Sequence, residues 1–309
     1  MIEVCHLVKR YGKFTAVDDL SFQIPDGCVF GFVGPNGAGK TTTMRIMAGL
    51  LRQDGGEILY DGREMTTDSR FLKETVGYMP DFFGVYDNLK VKEYMDFFAG
   101  TYAIPYRDRP ALIGDLLELV DLTQKEDAYV DSLSRGMKQR LCLARSLIHD
   151  PKLLILDEPA SGLDPRARVE MKEILKALGD MGKTILISSH ILPELAEMCG
   201  RIGIIDHGKM VTQGTVAEIL HRMTKKRIFR LKVLDQTEQA AKVASEFSLV
   251  TDLVEGEKEL RFGLDGEAAA QAQLLRAMIE QNVPVTEFRE MEGNLEEIFM
   301  AVTGGEEEA

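Results

Sequence analysis

The sequence predicts an α/β fold with a largely parallel sheet and an inserted helical block, followed along the chain by a second, smaller α+β domain. Over about the first 220 residues, short apolar runs alternate with helical patterns, as strands and crossover helices do in a parallel sheet. Residues from about 85 to 150 have mostly helical periodicity. The composition changes near residue 222, where a basic stretch precedes a new set of short elements.

Length and composition are those of a globular chain with two domains. The chain has 309 residues, of which 45% are hydrophobic, and a formal net charge of -13. This length allows a sizeable buried core, while net acidity disfavours nucleic acid as a partner because phosphate is repelled on average. No uncharged apolar run is long enough to cross a bilayer, and the first residues lack the apolar segment of a secretory signal. The widely spaced cysteines indicate reduced thiols.

The elements of the first domain follow from apolar runs and their breaks. Residues 29–33 are predicted to form a buried strand that ends at Gly34, and a helix follows through Thr42 to Leu51. Residues 153–156 and 184–188 have the length and composition of two more buried strands. Between them, residues 165–178 have apolar positions at helical spacing. We therefore expect a domain over residues 1–221, with the helical subdomain at about 85–150.

The second domain is predicted over residues 222–303, with an acidic tail at 304–309. The basic stretch at its start, residues 221–230, is either a solvated linker or a phosphate or lipid contact. The remaining pattern predicts a small α+β unit. Its expected strands lie at 227–234, 249–255, 258–263 and around Val285, and its expected helices at 237–246, 267–281 and 294–302.

A glycine-rich loop directly after the first buried strand predicts a phosphate-binding site. Residues 34–41 fit the pattern G-x-x-x-x-G-K-[ST] between a strand and a helix. Glycines let backbone N–H groups converge on phosphate oxygens, and the helix adds the positive end of its dipole. Lys40 is expected to reach the β- and γ-phosphates and the Thr41 hydroxyl to bind Mg²⁺. The expected phosphate-binding residues are Gly34, Pro35, Asn36, Gly37, Ala38, Gly39, Lys40, Thr41 and Thr42.

Two carboxylates follow the apolar run at residues 153–156, at the carboxyl edge where α/β sheets bind ligands. Asp157 is expected to hold Mg²⁺ through water, and Glu158 to activate or position the water that attacks the γ-phosphate. His190, at the end of another predicted strand, is a structural histidine or one that senses the γ-phosphate. The predicted catalytic residues are Glu158, His190 and Lys40.

The segment Leu133-Ser-Arg-Gly-Met-Lys-Gln-Arg140 resembles the signature motif of ATP-binding-cassette (ABC) ATPases, whose usual form is Leu-Ser-Gly-Gly-Gln. With the glycine-rich loop, the acidic strand, Ser161-Gly-Leu-Asp164 and His190, the resemblance covers residues 1 to about 220. It implies a P-loop NTPase (ABC ATPase) core with ATP and Mg²⁺ as cofactors. It also implies that Tyr11 stacks on adenine and that Ser134 and Gly136 bind the γ-phosphate of an ATP held by a second cassette, with Asp164 at the seam between the two.

The chain departs from the family pattern at two places. Arg135 and Met137 replace Gly and Gln of the usual signature, while Ser134 and Gly136 are kept. Asp81 stands where the family has a Gln that contacts Mg²⁺, and it is followed by Phe82, Phe83, Val85 and Tyr86. These four residues form either an exposed patch for a membrane subunit or part of the core. The expected metal-site residues are Thr41, Asp157 and Asp81.

The resemblance predicts the ATPase subunit of a transporter, of the kind found in ABC-2 bacterial exporters. Its partners would be a second copy of the chain, or a paralogous cassette, and a separately encoded membrane permease, with no nucleic acid. The location would be the cytoplasmic face of a bacterial membrane. Two alternatives stay open: an import ATPase with a regulatory C-terminal domain, and a soluble ABC protein that acts on ribosomes.

Overall fold

The computed structural model describes residues 1–65, 69–81, 84, 86, 88–223, 227–265 and 268–291. The chain divides into two compact units, Met1–Val216 and Ala217–Ala309. One helix, Val216–Met223, runs across residue 222, so the domain boundary expected there stays a prediction. Within the described ranges, no helix combines the length and the apolar character that a membrane crossing requires.

The first unit contains two sheets. Their strands are β1 (Ile2–Tyr11), β2 (Phe14–Ile24), β3 (Val29–Val33), β4 (Gly55–Tyr60), β5 (Arg63–Glu64), β6 (Val76–Met79), β7 (Leu153–Leu156), β8 (Thr184–Ser189), β9 (Arg201–Asp206) and β10 (Lys209–Gly214). An antiparallel sheet has the order β2-β1-β4-β5, and a six-stranded sheet has the order β10-β9-β3-β8-β7-β6. In the larger sheet only β10 runs antiparallel to its neighbour. The predicted α/β class with a largely parallel sheet is confirmed.

Helices cover this sheet and form the predicted insertion. They are α1 (Lys40–Met47), α2 (Arg70–Thr75), α3 (Val91–Thr101), α4 (Arg109–Leu119), α5 (Arg135–Leu147), α6 (Pro165–Asp180) and α7 (Leu192–Ala196). A further helix, α8 (Val216–Met223), begins at the last residue of the first unit and belongs otherwise to the second. Between β6 and β7, α3, α4 and α5 make up the helical block, in which Tyr94 and Leu117 are buried. The larger core joins the two sheets, with Phe22 of β2 stacked on Phe30 and Phe32 of β3 at centroid distances of 5.8 and 5.4 Å.

Helix α1 ends earlier than the expected end at Leu51. Gly49 adopts a left-handed φ of +71°, and two hydrogen bonds close the helix: Gly49 N–H donates to Ile46 O, and Leu50 N–H to Arg45 O. This pair of bonds is a Schellman motif, which a glycine favours because it has no Cβ. Gly49 was the sequence signal for this helix end. The apolar Leu50 and Leu51 that follow it suggested instead that the helix continued.

The sheet order places the phosphate loop and the acidic strand side by side. Strand β8 lies between β3 and β7, and all three are parallel. Their carboxyl ends therefore lie on one edge of the sheet, the usual position for ligands in α/β folds. The loop after β3, Asp157 and Glu158 after β7, and His190 after β8 consequently meet.

After α8, the described part of the second unit is a four-stranded antiparallel sheet with two helices. Its elements are β11 (Arg227–Val233), α9 (Thr237–Glu246), β12 (Val250–Glu255), β13 (Glu259–Leu264), α10 (Ala268–Glu280) and β14 (Val285–Met291). The strand order β12-β13-β11-β14 and the βαββαβ succession give a ferredoxin-like topology. Phe229, Leu231, Leu260 and Phe262 form its core, so the predicted small α+β unit is confirmed. The helix expected at 294–302 and the tail at 304–309 lie outside the described residues.

Candidate functional site

The loop after β3 runs so close to neighbouring backbone oxygens that two of its positions have no room for a side chain. A Cβ on Gly34 would stand 2.3 Å from the carbonyl oxygen of Ile205, and one on Gly39 would stand 2.5 Å from that of Ala16. Gly39, the N-cap of α1, also has a φ of +102°, which side chains with a Cβ strongly disfavour. The glycines at these two positions are therefore steric requirements of the loop. They leave the N–H groups at the start of α1 free to face a phosphate.

Lys40 is buried at the first position of α1, with only 6% of its side chain exposed. Its ammonium donates hydrogen bonds to the carbonyl oxygens of Gly34 (2.7 Å) and Pro35 (3.1 Å). Burial lowers the pKa of Lys40, and the nearby carboxylates of Glu158 and Asp157 oppose that shift. The lysine is thus held over the loop, where a phosphate oxygen could replace its carbonyl partners.

Asp157 presents one carboxylate oxygen that is fixed and one that is free. Its Oδ1 accepts hydrogen bonds from the hydroxyls of Ser188 (2.7 Å) and Thr41 (3.2 Å). Its Oδ2 is buried and accepts no hydrogen bond from any described residue. A buried carboxylate oxygen without a partner costs free energy unless it receives a donor or a cation shell. Together with the Thr41 hydroxyl, it is the type of oxygen donor that Mg²⁺ prefers. The residues present therefore fit the expected metal.

Glu158 lies directly after Asp157 in a left-handed backbone conformation, with a φ of +50°. Its Oε2 is 3.0 Å from His190 Nδ1, and its Oε1 is 4.0 Å from the ammonium of Lys40. Burial raises the pKa of Glu158, whereas His190 and Lys40 oppose the increase. The structure thus brings the three predicted catalytic residues together, with a carboxylate whose pKa is shifted toward neutrality.

These side chains border one open cavity of about 410 Å³. Its lining residues are Tyr11, Phe14, Ala16, Asn36, Gly37, Gly39, Lys40, Thr41, Thr42, Asp81, Glu158, Ser161 and His190. Three expected residues, Gly34, Pro35 and Ala38, belong to the loop but do not line the cavity. The loop is held there by two hydrogen bonds, from Ala38 N–H to Pro35 O and from Gly208 N–H to Ala38 O. Asp157 does not line the cavity itself, but it is hydrogen-bonded to Thr41 and directly precedes Glu158, which both do.

Tyr11 and Phe14 form the aromatic wall of the cavity. They face each other across the tight turn between β1 and β2, and 50% and 61% of their surfaces are exposed. The ammonium of Lys9 lies 5.7 Å from the centroid of the Tyr11 ring. Of the lining residues, Tyr11 was expected from the sequence, Phe14 and Ala16 were not, and Ser161 was named there only as part of the Ser161–Asp164 motif. Two aromatics flanking Gly12-Lys13 at a hairpin turn were the available signal for Phe14.

The signature segment lies elsewhere, since Ser134 and Gly136 do not line the cavity. Ser134 is the exposed N-cap of α5 and accepts a hydrogen bond from Met137 N–H. Gly136 is buried against α6, where a Cβ would stand 2.9 Å from Ala167 Cβ. The Arg135 side chain is exposed and passes close over Gly162, while Asp164 caps α6 by accepting from Ala167 N–H. The two halves of the expected nucleotide site are therefore separate surfaces of one chain.

The aromatic segment after Asp81 is described only in part. Tyr86 is 54% exposed and packs edge-on against Phe97 at a centroid distance of 5.3 Å. Phe97 is itself 47% exposed, so these two rings form a surface patch. Tyr86 is therefore part of an exposed patch and not of the core, the two alternatives that the sequence left open. Phe82, Phe83 and Val85 lie outside the described residues.

Comparison with known proteins places this geometry in a family. Residues 17–161 match the family described as "ABC transporter", and residues 214–303 match "ATP-binding protein DrrA1-3-like, C-terminal domain". Among solved structures, one titled "Structure of ATP binding subunit of ABC transporter" is similar with a TM-score of 0.65 and 27% identity, over 72% of this chain and 92% of that one. The dimeric cassette MJ0796 shares the fold, with a TM-score of 0.63 and 23% identity over 70% of this chain and 99% of its own.

Two curated relatives are similar over nearly their whole length. The linearmycin resistance ATP-binding protein LnrL of Bacillus subtilis is 32% identical over 98% of both chains. The Nod factor export ATP-binding protein I of Burkholderia orbicola is 34% identical over 99% of this chain and 97% of its own. The cassette motifs, the two matched domains and this end-to-end similarity together show that the chain belongs to the ATP-binding subunits, the ATPases, of ABC transporters.

Proposed function

We propose that this subunit hydrolyses ATP at the cavity beside Lys40 and Glu158, in a dimer, and thereby drives a separately encoded membrane permease in the direction of export. One observation carries the proposal. At the glycine loop, beside the buried Asp157, the Glu158 carboxylate lies 4.0 Å from the Lys40 ammonium and 3.0 Å from His190 Nδ1.

ATP binding is assigned to three parts of the cavity. The loop from Gly34 to Gly39 and the N-terminus of α1 receive the phosphates, with Lys40 at the β- and γ-phosphates and Thr42 at the α-phosphate. Tyr11 stacks on adenine, and Phe14 beside it extends the same aromatic wall. Half or more of each ring residue's surface is exposed, which leaves aromatic surface available to a base.

Hydrolysis is assigned to Glu158, which accepts a proton from the attacking water or orients it as the water adds to the γ-phosphorus. The bond to the bridging oxygen then breaks, and ADP leaves with the electron pair. The raised pKa of Glu158 suits this role, because a base works best when its pKa approaches the working pH. His190, 3.0 Å from Glu158, orients the carboxylate and is placed to contact the γ-phosphate.

Thr41 and Asp157 would hold Mg²⁺, and Asp81 on the cavity wall is a third candidate. When bound, the ion neutralises charge on the phosphate oxygens. Asp81 has a shorter side chain than the usual Gln and carries a charge. Its carboxylate therefore adds an oxygen donor with a negative charge to a site that already contains Asp157.

Dimerisation follows from the separation of the two halves of the site. Ser134 and the N–H of Gly136 lie at the start of a 13-residue helix and away from the chain's own cavity. We assign them to the γ-phosphate of ATP bound by a second copy, or by a paralogous cassette. ATP then binds the closed dimer more tightly than the open chains, and hydrolysis removes that difference.

Export, the permease and the cytoplasmic face of the membrane are proposed from the relatives. One similar protein is named for resistance to linearmycin and another for Nod factor export. The exposed ring pair Tyr86 and Phe97 is a surface on which a permease segment could pack. The cargo would be selected by the permease and not by this chain.

The first test replaces Glu158 by Gln, a neutral side chain of the same shape. Without a carboxylate to accept or orient the proton of water, we expect ATP hydrolysis to fall at least about 100-fold. We also expect an ATP-dependent dimer to accumulate, measured by light scattering after size exclusion. Glu118→Gln on the exposed surface of α4 is the matched control and should leave both readouts unchanged. Hydrolysis at the wild-type rate in Glu158→Gln would contradict the assignment.

The second test concerns the partner. Co-expression with the reading frames that adjoin the gene, followed by purification from membranes, should recover a multi-spanning protein with the chain and an ATPase activity that cargo stimulates. Recovery with ribosomes would contradict the transporter assignment, and a neighbouring binding-protein gene would favour import.

A further inference from the structure

Ser188, near the end of β8, contacts both carboxylate residues of the site through one hydroxyl. It is fully buried. Its Oγ donates a hydrogen bond to Asp157 Oδ1 at 2.7 Å and accepts one from Glu158 N–H at 2.9 Å. A serine hydroxyl has one proton and two lone pairs, so both directions of hydrogen bonding are in use.

The first of these bonds determines the orientation of Asp157. Ser188 and Thr41 both donate to Oδ1, which leaves Oδ2 as the buried oxygen without a donor among the described residues. A hydroxyl-to-carboxylate bond of this length is charge-assisted and stronger than a neutral one. Removing the Ser188 donor would leave the weaker 3.2 Å contact of Thr41 as the only hydrogen bond from a described residue that fixes the carboxylate. The Thr41 hydroxyl is also one of the groups that we propose to hold Mg²⁺.

The second bond holds the backbone of Glu158. A non-glycine residue at a φ of +50° is strained and persists only when its surroundings hold it. Two bonds do so here: Ser188 receives the Glu158 N–H, and Ser161 N–H donates to Glu158 O at 3.0 Å. The backbone conformation in turn sets the direction of the Glu158 side chain toward Lys40 and His190.

We propose that Ser188 is a positioning residue for ATP hydrolysis, whose single hydroxyl aligns the metal-holding carboxylate with the water-activating one. The inference rests on the roles proposed above for Asp157 and Glu158, and it adds a residue to which the sequence assigned no part. Ser188 acts through these two neighbours, because its hydroxyl is hydrogen-bonded to Asp157 and to Glu158 and Ser188 does not line the 410 Å³ cavity.

The next residue provides a matched control. Ser189 is the same residue type on the same strand and is also buried. Its hydroxyl accepts from Ile191 N–H at 3.0 Å and has no hydrogen bond to Asp157 or Glu158 within the described part of the chain. A purely structural serine in β8 should therefore behave alike at both positions, whereas a positioning role concerns only Ser188.

The experiment compares Ser188→Ala, Ser188→Thr and Ser189→Ala in the full-length protein. For each variant we measure kcat and KM for ATP, the Mg²⁺ concentration at half-maximal activity, the affinity for a fluorescent ATP analogue in EDTA, and the Tm. Ser188→Ala should lower kcat about 10- to 100-fold, as for other groups that orient metal ligands, and raise the Mg²⁺ requirement several-fold. Its affinity for the analogue in EDTA should match that of Ser189→Ala. Ser188→Thr keeps the hydroxyl and should restore most of the kcat.

A double-mutant cycle keeps the test decisive if Ser188→Ala also lowers the Tm. In an Asp157→Asn background, the effect of Ser188→Ala on the Mg²⁺ requirement should disappear, since the oriented carboxylate is already absent. The inference is overturned if Ser188→Ala and Ser189→Ala have equal kcat and Mg²⁺ requirement, or if the effect persists undiminished beside Asp157→Asn. Wild-type hydrolysis by Glu158→Gln would instead contradict the proposed function. Loss of hydrolysis in Glu158→Gln, with no effect of Ser188→Ala, would remove this inference alone.

Discussion

The edge of the six-stranded sheet and the start of α5 both carry proposed nucleotide contacts, yet they are built differently. At the sheet edge the functional groups are buried and held by named partners: Lys40 by the loop carbonyls, Asp157 by Thr41 and Ser188, and Glu158 by His190. At the start of α5, Ser134 and Arg135 are exposed. The guanidinium of Arg135 has no hydrogen bond or ion pair with any described residue, and its contact is the backbone of Gly162.

The difference between the two regions matches the different parts that we propose for them in one reaction. A group that must act on water or a metal benefits from burial, because fixed dipoles and a shifted pKa come with it. A surface that must meet a second chain has to stay accessible until that chain arrives. Changes at the sheet edge should therefore alter ATP binding by the isolated chain or the hydrolysis step, whereas changes at α5 should alter association and leave ATP binding by the isolated chain unchanged.

The largest effect is expected from Lys40→Ala. The substitution removes the buried cation that is placed for the β- and γ-phosphates, and no other lysine or arginine among the described residues lines the cavity. We expect the affinity of the isolated chain for ATP to fall about 100-fold or more, measured by equilibrium binding of a fluorescent ATP analogue. Lys176→Ala, on the exposed side of α6, should bind as wild type does. Nearly unchanged binding by folded Lys40→Ala would mean that the sheet edge is not the phosphate site.

An intermediate effect is expected from Arg135→Met, made in the Glu158→Gln background. Methionine keeps an unbranched stem beside Gly162 and removes the charge. If α5 faces the ATP of a second copy, the loss of one charged contact should raise the ATP concentration needed for dimerisation about tenfold. Binding of ATP to the isolated chain should not change. Light scattering and equilibrium binding on the same samples separate the two readouts.

The control for the arginine is Arg107→Met, because Arg107 is also exposed but lies between α3 and α4, away from the signature. It should dimerise at the wild-type ATP concentration. Equal dimerisation by the Arg135 and Arg107 variants would show that the charge in the signature makes no contact across the dimer. Weaker binding of ATP by the isolated Arg135→Met chain would remove the distinction between the two regions.

Which residues meet at the sheet edge could be predicted from the sequence, because their signals are local and the topology is constrained. The glycine loop and Asp157-Glu158 each directly follow an apolar run, and parallel strands bring their carboxyl ends together. Ser188 could not be predicted in this way. Its hydrogen bonds join β8 to the end of β7, so they depend on strand register and side-chain direction. Phe14 differs from Ser188, because its signal is local: it pairs with Tyr11 across the Gly12-Lys13 turn, and the two flanking aromatics are visible in the sequence.

The second unit was predicted almost element by element, although no site was assigned to it. Alternation along β11 and β13 directs Phe229, Leu231, Leu260 and Phe262 into one core, and a period of two is visible in sequence without knowledge of the fold. What the sequence could not provide was the strand order, in which β11 pairs with the distant β13 and β14. Pairing between distant segments leaves no mark in a local pattern.

The smallest effect is expected in stability, and it concerns the cost of burying Glu158. Burial raises the pKa of Glu158 in the folded protein above its ordinary value, so its ionised form is less favourable when folded than when unfolded. The stabilising contribution of the protonated form is complete below the ordinary pKa and is lost as pH rises through the raised one. Near pH 7.5, Glu158→Gln should therefore increase the free energy of unfolding, on the order of 1 kcal/mol.

The pH dependence is what distinguishes this explanation from a general effect of Gln. Below about pH 4, Glu158 is protonated in both the folded and unfolded states, so the advantage of Gln should disappear in urea unfolding measured across the pH range. Glu118→Gln should show no such dependence, because an exposed carboxylate is solvated in both states. A Gln variant less stable than wild type at pH 7.5 would mean that Lys40 and His190 more than offset the burial of the carboxylate. The sheet edge would then gain stability from its ionised glutamate, and activity and stability would not oppose each other there.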